Sequence, residues 1–363
     1  MRLLGAARYF ARTTLPAVAV GAGLIGILGV VIALAGHDAG DALISGAQAA
    51  FGSSDALISA TLKRATPLMW LGLAVAVAFR AGVLNIGAEG QFLVGAVCAS
   101  AAGLYLPELP GVGGPLIVLA AGALGGMAWA GSAGWLLRRH GVNEVVSTLL
   151  LNLLASQLVG YLVRGPLQEP SRTYPQSSAV PEYFRVPLLL DGYRLHAGFL
   201  LAILAAGIIA LLTYRHAIGF RWRVVGLGPL AAESAGLIDV GATRVRVLLL
   251  SGAFAGIAGA GELAGVTYSL FEGLSPGYGY TAIAVALIAR LHPIGLLASA
   301  IAFGALGAAG DGMQRNSGVP ADLTVVVSAG AILAVLAYPY VRARWAVMNP
   351  ATDPPATDRA ANA

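Results

Sequence analysis

The chain has 363 residues, of which 58% are hydrophobic and only 11% charged, and its formal net charge is +5. A soluble domain carries about 25% charged residues, and here the apolar residues fall in blocks approaching the ~20 that span a bilayer core as a helix, so an ordinary soluble fold is excluded. The single lysine, Lys63, lacks the preceding glycines of a phosphate-binding loop, which excludes ATP hydrolysis by that route.

In chain order, ten membrane segments are predicted: about 15–36, 65–79, 83–105, 115–137, 143–163, 197–214, 246–270, 279–290, 293–310 and 322–340. The first follows Arg2, Arg8 and Arg12, and its apolar run from Leu15 to Ala35 exceeds the ~7–15 residues of a signal-peptide core. It is read as an uncleaved helix. Segments 65–79 and 279–290 are short for a full crossing and must tilt little, thin the bilayer locally, or sit beside broken helices inside the protein. Placing the N-terminus in the cytoplasm puts fifteen Lys and Arg residues on the inside and seven outside. That asymmetry predicts both termini inside. The fold class is therefore all-α integral membrane, with about ten transmembrane helices, some broken or short. One transmembrane domain covers 1–345, and a Pro/Ala/Asp-rich tail, 346–363, is expected to be disordered.

Four stretches stand out. Arg80 to Gln91 places Gly82, Gly87 and Gly90 among the polar residues Asn85, Glu89 and Gln91. Irregular backbone at membrane depth is tolerated only beside protein or a water-filled cavity, so the stretch is either part of a transport path or a simple turn before a helix. Glu144, Thr148, Asn152, Ser156 and Gly160 recur every four residues and form one helix face, beside Asn143 and Ser147. That face either lines a path or bonds to other helices. Segment 246–270 carries the close-packing pairs Gly252–Gly256 and Gly261–Gly265, with the carboxylate of Glu262 in its middle. The inside loop 215–245 is basic at both ends and predicts a short helix over 230–237, near Pro229 and Gly236. It suits docking of a soluble partner, or its arginines hold lipid headgroups.

Other chemistries find no support. Cys98 is the one cysteine, and the five histidines show no metal-ligand spacing. No nucleophile or zinc-protease motif occurs. Neither an enzyme, a metal, a cofactor nor a nucleic-acid partner is expected.

Taken together, Val83 to Gln91, Asn143 to Thr148 with Leu151-Asn152, and Gly277 to Val285 followed by His292-Pro-Ile-Gly295 resemble the permeases of bacterial nucleoside and simple-sugar ABC importers, within the branched-chain amino acid and ribose permease superfamily. The resemblance runs from about residue 15 to 345, and Ala289 departs from it where relatives often have glycine. It implies a multi-pass subunit of the cell inner (plasma) membrane, surrounded by lipid. It further implies a cytoplasmic ATPase subunit, a second permease chain in a heterodimer, and an extracytoplasmic solute-binding protein. It matches the loop to the ATPase-docking region, with Gly226, Ala231, Ala232 and Gly236 at its small positions. The expected substrate path involves Asn85, Glu89 and Gln91, then Glu144, Thr148 and Asn152. Nucleosides are the favoured solute, with sugars, flavins and branched-chain amino acids fitting related permeases. The competing reading is a proton-coupled secondary transporter using Glu89, Glu144 and Glu262 as a relay.

Overall fold

The computed structural model describes residues 23, 26–236, 238–320, 323, 326, 329 and 330. Of the predicted segment 15–36 the described residues are 23 and 26–36, segment 322–340 falls largely outside them, and the tail 346–363 falls wholly outside them. The chain divides into two compact units. One comprises residues 48–308. The other joins residues before 48 to those from 309 onward.

Among the described residues the secondary structure is helical, with isolated β-bridges and no strand. In chain order the helices are α1 (Ala39–Phe51), α2 (Lys63–Arg80), α3 (Ala88–Tyr105), α4 (Gly113–His140), α5 (Glu144–Val163) and α6 (Gly198–Arg215). They continue with α7 (Ala217–Leu227), α8 (Pro229–Ser234), α9 (Val240–Glu262), α10 (Tyr278–Ile288) and α11 (Pro293–Ser317). Two π-helical turns extend the set: Ala56–Leu62 leads into α2, and Leu263–Thr267 continues α9.

Among the described residues, six helices are long and apolar enough to cross a membrane: Ala56–Arg80, Gly113–His140, Glu144–Val163, Gly198–Arg215, Val240–Thr267 and Pro293–Ser317. The span expected over 65–79 is thus longer than the sequence indicated. The π-helical turn adds residues that a 3.6-residue period does not reveal. Helix α10, at 11 residues, rises only ~16 Å and stays too short to cross. The segment expected over 83–105 starts its helix only at Ala88, because residues 81–87 form an irregular turn.

The core of the larger unit is built on α2 and α9, whose apolar windows are mostly buried, with α3 and α4 packed against α9. Glycine makes this possible. A Cβ on Gly256 would lie 2.0 Å from the Gly122 carbonyl oxygen, and one on Gly95 would lie 2.4 Å from the Gly256 Cα. The backbones of α3, α4 and α9 therefore touch, the close approach that small residues permit in membranes. Of the two predicted glycine pairs, Gly252–Gly256 serves this contact, while Gly265 packs on the His196 ring. By contrast α5 and α6 expose much of their apolar surface, including Leu150, Leu153, Leu154, Leu204 and Leu211.

The polar loop between α5 and α6 is pinned over the ends of α3 and α9. Val180 and Val186 donate their amides to the Tyr268 and Ala264 carbonyls at 2.7 and 2.9 Å. Val180, Phe184 and Val186 are buried there. This apolar triplet within a proline-bearing loop offsets the cost of ordering it.

In the smaller unit, Ile32, Ala42, Met313 and Val319 form a separate apolar cluster. Asp38 caps the start of α1 by accepting from the Asp41 amide at 2.9 Å.

Candidate functional site

The turn after α2 is set by Gly82, whose φ of +71° suits glycine. It brings Asn85 back over the start of α3. The two amide side chains of Asn85 and Gln91 bond reciprocally, Asn85 Nδ2 to Gln91 Oε1 at 2.9 Å and Gln91 Nε2 to Asn85 Oδ1 at 3.1 Å. Asn85 also donates to Ser251 Oγ on α9 at 2.9 Å, and Ser251 donates to the Ala74 carbonyl on α2 at 2.7 Å. Asn85, Gln91 and Ser251 are almost wholly buried. Their polar groups satisfy one another, as buried amides must.

Asn152 on α5 holds the same segment from the other side. Its Oδ1 accepts from the Gly90 amide at 2.8 Å, and its Nδ2 donates to the Ile86 carbonyl at 2.9 Å and to the Tyr280 hydroxyl at 3.2 Å. Glu89 points toward α10. Its carboxylate accepts from the Gly279 amide at 2.7 Å, in the first turn of that helix, and also bonds Ser275. A carboxylate at a helix N-terminus is favoured by the unpaired amides there.

These groups border an open cleft of about 220 Å³ lined by Glu89, Asn152, Ser156, Glu272, Ser275 and Tyr280, with Leu93, Leu153 and Val159 as its apolar wall. At one edge Arg164, just after α5, forms a two-pronged ion pair with Glu272, one prong at 2.6 Å. The cleft combines carboxylates, an amide, hydroxyls and one aromatic ring. It can accept and donate several hydrogen bonds to a polar, uncharged solute.

Of the six residues predicted for a substrate path, Glu89 and Asn152 line this cleft. Asn85 and Gln91 lie behind it, in the buried network. Thr148 is buried and donates to the Glu144 carbonyl at 2.6 Å, while the half-buried Glu144 lies in the first turn of α5, capped by Asn143. Sequence reasoning passed over Ser251, Glu272 and Ser275. The Ser275-Pro-Gly turn before α10 was the available signal for the last of these.

The predicted docking loop folds as α7 and α8. Pro229 occupies the first turn of α8, and Gly236 has φ +69° just past its end. Ala232 is buried, Ala231 is exposed, and Leu227 and Leu230 expose 89% and 78% of their surface. Gly226 meets the turn before Asn85 directly, since a Cβ there would lie 2.1 Å from the Arg80 carbonyl oxygen.

Glu262 ends α9 and is buried, with the positive charges of Lys63 and Arg64 acting on it. It lines a small cavity with His196, Thr66 and Trp70, apart from the cleft that Glu89 lines.

A bundle of membrane-length helices with a polar cleft held by buried amide networks defines a multi-pass transport protein. The family model for the branched-chain amino acid transport system, permease component, matches residues 57–336, and the chain belongs to that family. It is 35% identical to the glucose ABC transporter permease protein TsgB13 of Haloferax volcanii over 291 residues, 76% of this chain and 75% of that protein. It is 35% identical to the guanosine ABC transporter permease protein NupP of Bacillus subtilis over 282 residues, 77% and 80% of the two chains. It is 29% identical to the guanosine ABC transporter permease protein NupQ of the same organism over 258 residues, 68% and 79%. The protein is thus a transport permease and not an enzyme, and a proton relay is not favoured.

Proposed function

We propose that this chain is the membrane-spanning half of an ABC importer for nucleosides or related sugar-containing solutes. A single permease domain over residues 1–345 would cross the inner membrane about ten times, with both termini in the cytoplasm. ATP hydrolysis resides in a separate cytoplasmic subunit. A second permease chain completes the membrane core, in keeping with the two guanosine permease proteins of Bacillus subtilis that both resemble this chain. An extracytoplasmic binding protein delivers the solute.

The observation that carries this reading is the backbone contact between Gly226 and the turn at Arg80 to Gly82. The α7–α8 segment receives the ATPase. Its displacement reaches that turn, which leads within a few residues to Asn85, Glu89 and Gln91. The cleft bordered by Glu89 and Asn152 then opens to alternate sides of the membrane. Ribose hydroxyls suit the acceptors Glu89 and Ser275, and Tyr280 offers a ring for a base to stack on. Glu144 and Thr148 continue the path along α5.

Gentle extraction of the tagged chain from its native membrane tests the class. Co-purification of an ATPase subunit and a second permease is expected. Recovery of this chain alone, with full transport on reconstitution, would overturn it. Guanosine and glucose uptake by a Glu89→Ala, Asn152→Ala variant at normal expression tests the path. A loss of at least about tenfold is expected from removing two polar contacts, and wild-type uptake would refute the lining assignment.

A further inference from the structure

A second concave site lies at the junction of α7 and α9, away from the transport cleft. An open groove of about 330 Å³ is lined by Ile218, Arg221, Trp222, Thr243, Arg246 and Leu250. The geometry points to this groove as a binding site for an anionic phospholipid, with the phosphate between Arg221 and Arg246 and an acyl chain along Ile218, Trp222 and Leu250.

The charge pattern carries the argument first. Three arginines near this end of the fold are occupied. Arg80 donates to the Leu291 carbonyl at 2.7 Å, Arg138 pairs with Asp239 at 3.7 Å, and Arg223 donates to the Thr213 carbonyl. Arg221 and Arg246 have no hydrogen-bond or ion-pair partner among the described residues, and no carboxylate lines the groove. Two unneutralised guanidiniums facing one concavity repel each other, and a phosphate relieves that repulsion with charge-assisted hydrogen bonds.

Position carries it second. Helix α6 spans and ends at Arg215, the chain breaks at His216, and α9 begins at Val240. The groove therefore sits where spanning helices meet the headgroup layer. Leu250 lies one helical turn, ~6 Å, further along α9 than Arg246. The arginines thus stand at headgroup level, with Leu250 toward the hydrocarbon. The half-exposed Ile218 and the Trp222 indole complete an apolar wall, as in basic pockets that hold acidic lipid headgroups. Thr243 adds a hydroxyl near the phosphate position, although it already donates to the Asp239 carbonyl at 2.7 Å.

Native mass spectrometry of the full chain, purified with its accompanying subunits, tests the site. Phosphatidylglycerol and phosphatidylcholine are the probes, and inorganic phosphate is the competitor. Phosphatidylglycerol is expected to be retained about tenfold or more over phosphatidylcholine. An Arg221→Gln, Arg246→Gln variant should lose that preference. An unchanged preference in the variant overturns the proposal. So does displacement of the lipid by inorganic phosphate alone, which would mean a free-phosphate site. Loss of a co-purifying soluble chain with lipid preference intact would assign the arginines to a protein partner and overturn it too. A second measurement leaves the arginines in place. Brominated phosphatidylglycerol should quench Trp222 fluorescence more than brominated phosphatidylcholine does, a difference absent in Trp222→Phe. Equal quenching by the two lipids also sinks the idea.

Discussion

Asn85 and Gln91, six residues apart on either side of a turn, exchange two amide hydrogen bonds in a site almost wholly buried from solvent. Removing one partner leaves a buried amide unsatisfied, at a cost of about 1–3 kcal/mol. Asn85→Ala and Gln91→Ala are each expected to lower thermal stability in detergent. The double variant should cost clearly less than the sum of the two, because the shared bonds are lost only once. Strict additivity would mean the pair does not act as a unit.

The glycine contacts give a matched pair of opposite sign. Gly256→Ala inserts a methyl 2.0 Å from the Gly122 carbonyl oxygen. It should destabilise by at least about 3 kcal/mol, or prevent folding. Gly207 on α6 has nothing within 4 Å of its Cβ position, so Gly207→Ala should be neutral or stabilising by up to about 1 kcal/mol. Expression and melting temperature in detergent read both. A tolerated Gly256→Ala would contradict the close approach of α4 and α9.

His196 precedes α6, outside the spanning helices, and is only 1% exposed. Its Nδ1 accepts from the Gly198 amide at 3.2 Å, which requires the neutral ring. Burial pushes its pKa from 6.5 down to about 4. The unfolded chain therefore takes up the proton first as pH falls. The stability in question is present above pH 6.5 and is lost progressively toward pH 4, by roughly 3 kcal/mol in all. His196→Asn can keep the acceptor and removes the titration, so the variant should show a flatter profile over that window. An identical slope in both proteins would exclude His196 as the source.

Leu227 and Leu230 are among the most exposed large apolar residues described, and they lie on either side of the α7–α8 break. If this edge seats the ATPase, Leu230→Glu places a charge in an apolar contact and should weaken co-purification of that subunit by more than about tenfold. Membrane insertion and the melting temperature should not change. Undiminished recovery of the ATPase would move the docking surface elsewhere.

Much of the architecture was legible because bilayer-length apolar runs need no tertiary information. The short helix after Pro229 and the irregular backbone before Ala88 could likewise be read from proline and glycine alone. The length of the helix ending at Arg80 could not, since π-helical winding over Ala56–Leu62 leaves no 3.6-residue signature. In the site, the every-fourth-residue stripe marked Asn152 as facing other helices or a water-lined path rather than lipid. What it faces, the Gly90 amide and the Tyr280 hydroxyl, depends on pairings between segments 62 and 128 residues apart. The polar residues Asn85 and Gln91 were visible, but their mutual satisfaction depends on the turn that folds one over the other. Ser251 was masked by its setting in a glycine- and alanine-rich helix, where a lone serine carries no pattern.

The contact of α3, α4 and α9 through bare backbone has a mechanical consequence. Interfaces built from side chains can creep, because rotamers change and neighbouring residues take up the slack. Here carbonyls press on Cα atoms, and such a joint has no soft parts. These three helices must turn together as a single rocker, so the give in the machine lies at its edges: the seven-residue turn at 81–87, the break at His216, and the span between Tyr268 and Gly277.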